Sequence, residues 1–135
     1  MISTQEKYKI IDLRTINDNK GILGFFEEGR DVPFSMVRGF FRTRVPKGAK
    51  PGGHAHHKSW QFHLCIGGTA DVLIDDGTKR ETIILEPGKA LIVNKMVWSE
   101  FELSSLTTVL LVMSSDLYDK DDYIRDYNEF LKALR

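Results

Sequence analysis

Short apolar runs closed by turn residues fill most of this chain. Nothing constrains its fold more. The runs are Tyr8–Leu13, Ile22–Glu28, Met36–Val45, Trp60–Ile66, Ala70–Ile74, Glu81–Leu85, Ala90–Val93, Val97–Leu103 and Thr107–Met113. Between them stand Asn19-Lys20-Gly21, Pro46-Lys47-Gly48, Gly67-Gly68, Asp75-Asp76-Gly77-Thr78 and Glu86-Pro87-Gly88. Runs of this length, rich in β-branched and aromatic residues and broken by Gly, Pro and Asp, read as strands. The Asp-Gly pair inside ADVLIDDGTKRETIIL signals a hairpin. Many such strands in succession imply an all-β barrel or jelly roll. Past Asp116 the period changes. Tyr123, Ile124, Tyr127, Phe130, Leu131 and Leu134 recur at helical steps, and Asp121 and Asp122 suit a helix N-terminus. One C-terminal helix is expected, with its aromatic stripe packed on the barrel as core.

The 135 residues fit one domain, 1–135, with no linker or repeat. Nineteen basic and nineteen acidic residues balance to zero charge, which offers nothing for nucleic acid to bind. No apolar run reaches the roughly 18 residues of a membrane helix, and MISTQEKYKIIDL has no signal core. The lone Cys65 cannot form an intrachain disulfide. A cytoplasmic protein that engages neither membrane nor nucleic acid is expected.

All four histidines, His54, His56, His57 and His63, lie within ten residues. Histidine is the side chain best suited to proton transfer near neutrality and the commonest metal ligand, so the cluster marks a site. Alternation along a strand puts His54 and His56 on one face. It puts Gln61, His63 and Cys65 on one face and Trp60, Phe62, Leu64 and Ile66 on the other. A bulge or bend around His57–Ser59 would bring His54, His56, Gln61 and His63 to a common interior. The apolar face would then need a second sheet or subunit over it. Period-2 parity alone also allows the inverse arrangement, with the apolar face inside.

His-x-His, with a polar residue and then a glycine downstream, resembles the first metal motif of the cupin barrels. EPGKALIVNKMVWSEF resembles the second. Gln61 stands where those barrels place a Glu ligand, and Ser99 where they place the last His, so the usual metal set is broken. Several further segments are shared with one cupin group: NDNKGILGFFEEGRDVPFSMVRGFF, HAHHKSWQ, VLIDDG, LIVNKMVWSEF and SSDLYDKDDYIRDYNEFLKAL. By these the chain is identified as a member of the nucleotide-sugar 3,4-ketoisomerases and their WxcM-like relatives.

That resemblance implies a cupin-type jelly-roll barrel (a double-stranded β-helix) with one C-terminal α-helix. It implies a homodimer that exchanges N-terminal strands, and a substrate that is a dTDP-linked keto sugar. The group moves a carbonyl from C4 to C3 of a dTDP-4-keto-6-deoxyhexose by proton transfer, with no metal and no cofactor, in deoxyamino-sugar biosynthesis. The group's motif histidines match His54 and His56, expected as the catalytic pair. Its glutamine matches Gln61 and its arginine matches Arg38, which would pair with the diphosphate. His63, Phe40, Arg42, Lys20 and Ser99 complete the expected substrate-binding set.

The chain also departs from its relatives. They carry Tyr-Tyr where Phe40-Phe41 stands, Arg at Pro51, Trp-His at Trp98-Ser99, and Arg-Gly at Lys20-Gly21. Arg42 and Arg44, expected on the strand face of Arg38, would replace lost charge. His57 and His63 would compensate in part. Two other readings follow from these losses: a sugar-nucleotide-binding cupin without catalysis or with altered specificity, and a metal cupin using His54, His56 and His63.

Overall fold

A computed structural model describes residues 2–3 and 5–135. Its strands are β1 (Tyr8–Asp12), β2 (Arg14–Asp18), β3 (Gly21–Phe25), β4 (Arg38–Arg42), β5 (Gly52–His56), β6 (Gln61–Ile66), β7 (Ala70–Asp75), β8 (Arg80–Leu85), β9 (Lys89–Val93), β10 (Trp98–Leu103), β11 (Val109–Ser114) and β12 (Tyr123–Ile124). One helix, α1 (Tyr127–Ala133), follows. Two five-stranded antiparallel sheets run in the orders β1-β9-β6-β11-β4 and β12-β5-β10-β7-β8, while β2 and β3 pair only with each other. This is the jelly-roll arrangement expected from the sequence. Among the described residues no helix is long and apolar enough to cross a membrane.

The main core lies between the two sheets. Cys65, Leu91, Val93, Leu110 and Val112 of one sheet meet Ala70, Val72, Ile74, Leu85, Phe101 and Leu103 of the other. Register fixes this face. On β11, Ser114, Val112 and Leu110 pair with Gln61, His63 and Cys65 of β6 on one side. On the other side they pair with Arg38, Phe40 and Arg42 of β4. Directly opposed residues share a face, so the polar face of β6 points inward and carries the inner face of β4 with it.

The apolar face of β6 is covered by the chain itself. Phe62 and Leu64 pack with Val32, Ala90 and Ile92, with Phe26, Phe34 and Met36 alongside. Burying a side chain such as Phe62 contributes roughly 1.5–3 kcal/mol. The cover is incomplete, since Ile66 is exposed. The outer face of the second sheet is closed by α1, where Phe130 packs on Ala55, Trp98 and Ile124.

Several boundaries differ from the sequence expectation. The strand expected over Met36–Val45 ends at Arg42, and Arg44 has φ 58. Arg44 is therefore off the β4 strand that holds Arg38 and Arg42. β2 falls outside the apolar runs because its residues are mostly polar and exposed. The helix is shorter than its spacing implied. Residues 120–122 form a single 3₁₀ turn, and Tyr123–Ile124 is a strand paired with His56 and Ala55 of β5. The helix is capped by Asp126, which accepts from the Glu129 amide at 3.0 Å, so Asp121 and Asp122 are not its N-terminal charges. Pairing with an open edge of β5 overrides a helical period that hydrophobic spacing alone favours.

Candidate active site

β5 places His54 and His56 on the inner face and Ala55 outward beneath α1. Gly52 starts this strand at φ +95, and a Cβ there would stand 2.8 Å from the Ser99 carbonyl oxygen. Only glycine admits that approach, at the point where the β5–β10 register shifts between Ser99 and Glu100. The pairing that follows sets His54 opposite Ser99. On the free side of β5, Tyr123 pairs with His56. The three rings cluster: His54–His56 centroids are 4.9 Å apart, His54–Tyr123 5.0 Å and His56–Tyr123 4.6 Å.

Behind His56 stands Asp122. His56 Nδ1–H donates to Asp122 Oδ2 at 2.9 Å. Ser59 Oγ donates to the same oxygen at 2.5 Å, and the Lys58 amide donates to Oδ1 at 2.7 Å. The His57 amide holds the Asp122 carbonyl at 2.8 Å. A carboxylate accepts and does not donate, so the His56 proton sits on Nδ1 and leaves Nε2 with a lone pair. Nε2 of His56 and Nδ1 of His54 are buried and have no protein partner. Buried polar atoms are nearly always satisfied, so two open ring nitrogens side by side mark a place for a ligand.

The opposite sheet supplies charge. The Arg38 guanidinium lies 5.1 Å from the Phe40 ring centroid and 5.6 Å from that of Tyr118. Its Nη2 donates a long hydrogen bond to the Tyr123 hydroxyl, 3.5 Å, and its buried Nε is unpartnered. Arg125 stands 4.4 Å over the Tyr123 ring. None of the ion pairs among the described residues involves Arg38, Arg42 or Arg125.

These surroundings keep the histidines neutral. Burial, then the neighbouring His56, Arg125 and Arg42, push His54 down to about 4. His56 is lowered by burial, with Asp122 opposing and Arg38 and Arg125 reinforcing. Burial raises the Asp122 carboxyl, but hydrogen bonds from Ser59, Lys58 and His56 outweigh it and hold the group below the ordinary carboxylate value. His63 is enclosed deeper, with its ring 4.9 Å from Phe101 and Nδ1–H donating to the Leu91 carbonyl at 3.4 Å. Burial takes it down to about 3.

The structure thus brings together His54, His56, Arg38 and Phe40, with Ser99 beside His54. Gln61 and His63 share the inner face, while Arg42 stands exposed further along β4 on the face of Arg38 and Phe40. His57 is exposed outside the strand. Lys20 lies in the exposed β2–β3 turn, where its amide donates to Asp18. The crossing at His57–Ser59 is more than a bulge, because it carries the chain from one sheet to the other. Among the described residues no three His, Cys, Asp or Glu side chains are grouped to hold a metal.

Asp122, Tyr123, Ser59 and Arg125 escape the sequence reading. Helical spacing assigned Tyr123 to the core. One signal did point elsewhere: Asp126-x-x-Glu129 has the spacing of a capping box, which starts the helix at Asp126 and frees the residues before it.

The chain matches the family described as "FdtA: WxcM-like, C-terminal" over residues 6–135. It is 39% identical over 128 residues to TDP-4-oxo-6-deoxy-alpha-D-glucose-3,4-oxoisomerase of Aneurinibacillus thermoaerophilus, covering 93% of this chain and 91% of that one. A 3,4-ketoisomerase from Helicobacter canadensis superposes with TM-score 0.89 at 34% identity, over 94% of this chain and 96% of that one. A histidine-to-asparagine variant of the 3,4-ketoisomerase QdtA from Thermoanaerobacterium thermosaccharolyticum, in complex with TDP-4-keto-6-deoxyglucose, superposes with TM-score 0.89 at 30% identity, over 94% and 93%. From barrel to closing helix, this chain belongs to the WxcM-like cupin 3,4-ketoisomerase family.

Proposed function

We propose that this protein is an isomerase that shifts the carbonyl of a TDP-4-keto-6-deoxyhexose from C4 to C3 by histidine-mediated proton transfer. The observation that carries this reading is the buried His56–Asp122 pair, with the open nitrogens of His56 and His54 side by side. The reaction moves one proton from C3 to C4 and one from the C3 hydroxyl to the C4 oxygen. The ketone and alcohol exchange oxidation levels within one molecule, so no external oxidant or reductant is required. The imidazole pair carries the carbon-bound proton. Asp122 fixes the His56 tautomer and steadies the imidazolium that forms, as in other carboxylate–histidine pairs.

Arg38 and Arg42, free of carboxylate partners, suit the diphosphate. Gln61, on the inner face of β6, suits a sugar oxygen, and Ser99 lies beside His54. Phe40 flanks Arg38 and orients it. His63 lies deeper on the same face, against Phe101. Proton chemistry alone is tested with TDP-4-keto-6-deoxyglucose in deuterated water. Deuterium entering at C3 or C4, with the 3-keto product, is the expected result by NMR. Tight TDP binding with no exchange would reduce the protein to a sugar-nucleotide binder.

The same reading makes the protein a homodimer with exchanged N-terminal strands. Supporting it, β2–β3 pairs with neither large sheet and exposes Ile16, Ile22 and Leu23. A cavity of about 760 Å³, lined by Leu13, Ile22, Phe26, Leu64, Ile66 and Leu111 among others, lies beneath it. Lys20 travels with this hairpin, so its place in a substrate site depends on the exchange. Sedimentation should give a dimer, with an interface above about 2,000 Å². The unpaired, buried Cys65 fits a cytoplasmic location.

A further inference from the structure

The isomerisation must relocate two protons, and the histidine pair accounts for the one on carbon. The second leaves the C3 hydroxyl and arrives on the C4 oxygen. These oxygens are on adjacent carbons, so a single short acid–base group can serve both. Tyr123 has the placement for it. Its ring lies against both histidines, and its hydroxyl faces Arg38 Nη2 at 3.5 Å. Three aromatic rings flank the arginines here. Phe40 has no hydroxyl, and Tyr118 is 63% exposed, so of the described residues it is Tyr123 that offers a hydroxyl both within reach of Arg38 and beside the open ring nitrogens. The groups facing it are His54 and His56 from β5, Arg38 from β4, Arg125 from its own segment and Tyr118 from the preceding loop.

We propose that Tyr123 is a catalytic residue that carries the oxygen-bound proton from O3 to O4. The proposal rests on the ketoisomerase reading. As an imidazole removes the C3 proton, the C3–H electron pair forms the C3=C4 bond and the carbonyl electrons move to O4. The Tyr123 hydroxyl then gives O4 its proton, and the phenolate is steadied by Arg38 Nη2 facing its oxygen and by the Arg125 guanidinium over its ring. In the second half the phenolate takes the proton of the O3 hydroxyl. The O3 electrons close the C3 carbonyl, and C4 recovers a proton from the imidazolium. The tyrosine ends as it began, and atoms and charge balance.

Tyr123→Phe removes the hydroxyl and keeps the ring. With TDP-4-keto-6-deoxyglucose in deuterated water, kcat for the 3-keto product should fall roughly 100-fold or more, a typical loss for one acid–base group. KM and the Kd for TDP should stay within about threefold, because the lost contact belongs to the transition state. Deuterium exchange at C3 should fall less than product formation, since enolate formation needs only the imidazole. Turnover within about threefold of the parent protein would overturn the proposal. So would exchange and turnover falling by one common factor, which would make Tyr123 a positioning residue for the histidines. A loss confined to KM or TDP binding would also overturn it.

Replacing Tyr123 by difluorotyrosine, close in size but more acidic, guards against misfolding of the Phe variant. The alkaline limb of the kcat profile should move to lower pH, and an unmoved limb would count against a titrating phenol. A parent protein that gives neither exchange nor product would defeat the ketoisomerase reading itself, a result distinct from all of these.

Discussion

Two kinds of buried histidine occur within ten residues of this chain. Those on β5 and the one on β6 both point into the barrel, yet their surroundings have little in common. His63 sits among Leu91, Phe101 and Val112, bonded to a backbone carbonyl, and among the described residues the titratable groups that bear on it are the other two histidines. His54 and His56 have open ring nitrogens, a carboxylate behind one of them, and Arg38, Arg42 and Arg125 close enough to shift their protonation. Burial alone makes a histidine inert. Burial with an ionised partner on one nitrogen and an empty approach to the other makes it a proton carrier.

The contrast breaks most visibly by mutation of the pair. His54→Gln and His56→Gln should each lower kcat by roughly 100- to 10,000-fold, with much smaller changes in KM. Steady-state kinetics showing the losses wholly in KM would make the pair substrate contacts. Asp122→Asn should cost roughly 100-fold in kcat, because an amide can offer its N–H to Nδ1 and turn the tautomer over. Unchanged turnover in that variant would remove the carboxylate from the mechanism.

The charge difference is the next test. Arg38→Ala should weaken TDP binding by about 1.5–3 kcal/mol in calorimetry, the range for a charge-assisted hydrogen bond. An unchanged Kd would leave Arg38 a structural residue. Ser59→Ala removes one of the bonds holding Asp122 and should lower kcat by only about tenfold, a cost near 1–1.5 kcal/mol. A loss as large as that of Asp122→Asn would mean that Ser59 does more than hold the carboxylate.

The smallest effect is on the β6 side. His63→Phe should leave kcat within about threefold. Its signature is in stability. Between 6.5, the ordinary value, and about 3, where burial holds His63, the unfolded chain binds a proton that the folded chain does not. Stability therefore falls as pH drops through that window, by about 1.4 kcal/mol per pH unit for this group. His54 adds the same slope from 6.5 to about 4. Denaturant titrations of His63→Phe should show a shallower loss below 6.5. An unaltered slope would mean that His63 is protonated or solvated in the folded protein.

Much of this arrangement was legible in the residues. Alternation put Gln61, His63 and Cys65 on one face, and the Asp-Gly turn marked the β7–β8 hairpin, because both are local consequences of backbone geometry. The shared face of His54 and His56 was legible for the same reason. Asp122 and Tyr123 were not, since they meet His56 across 66 and 67 residues of chain and their spacing mimicked the helix that follows. A short strand recruited by a sheet edge leaves almost no periodic trace. The cover over Phe62 and Leu64 was also hidden, because it comes from an irregular segment that includes Phe26, Val32 and Phe34.

The separation of His56 from Asp122 also bears on the chain's synthesis. Strands β1 to β11 leave the ribosome before the segment that carries Asp122 and Tyr123, and domains begin to organise as they emerge. A nascent barrel can therefore assemble its histidines while lacking the carboxylate that orients one of them. Competence arrives with the short β12 pairing, which reaches β5 only after the exposed loop at Leu117 and Tyr118 has been made.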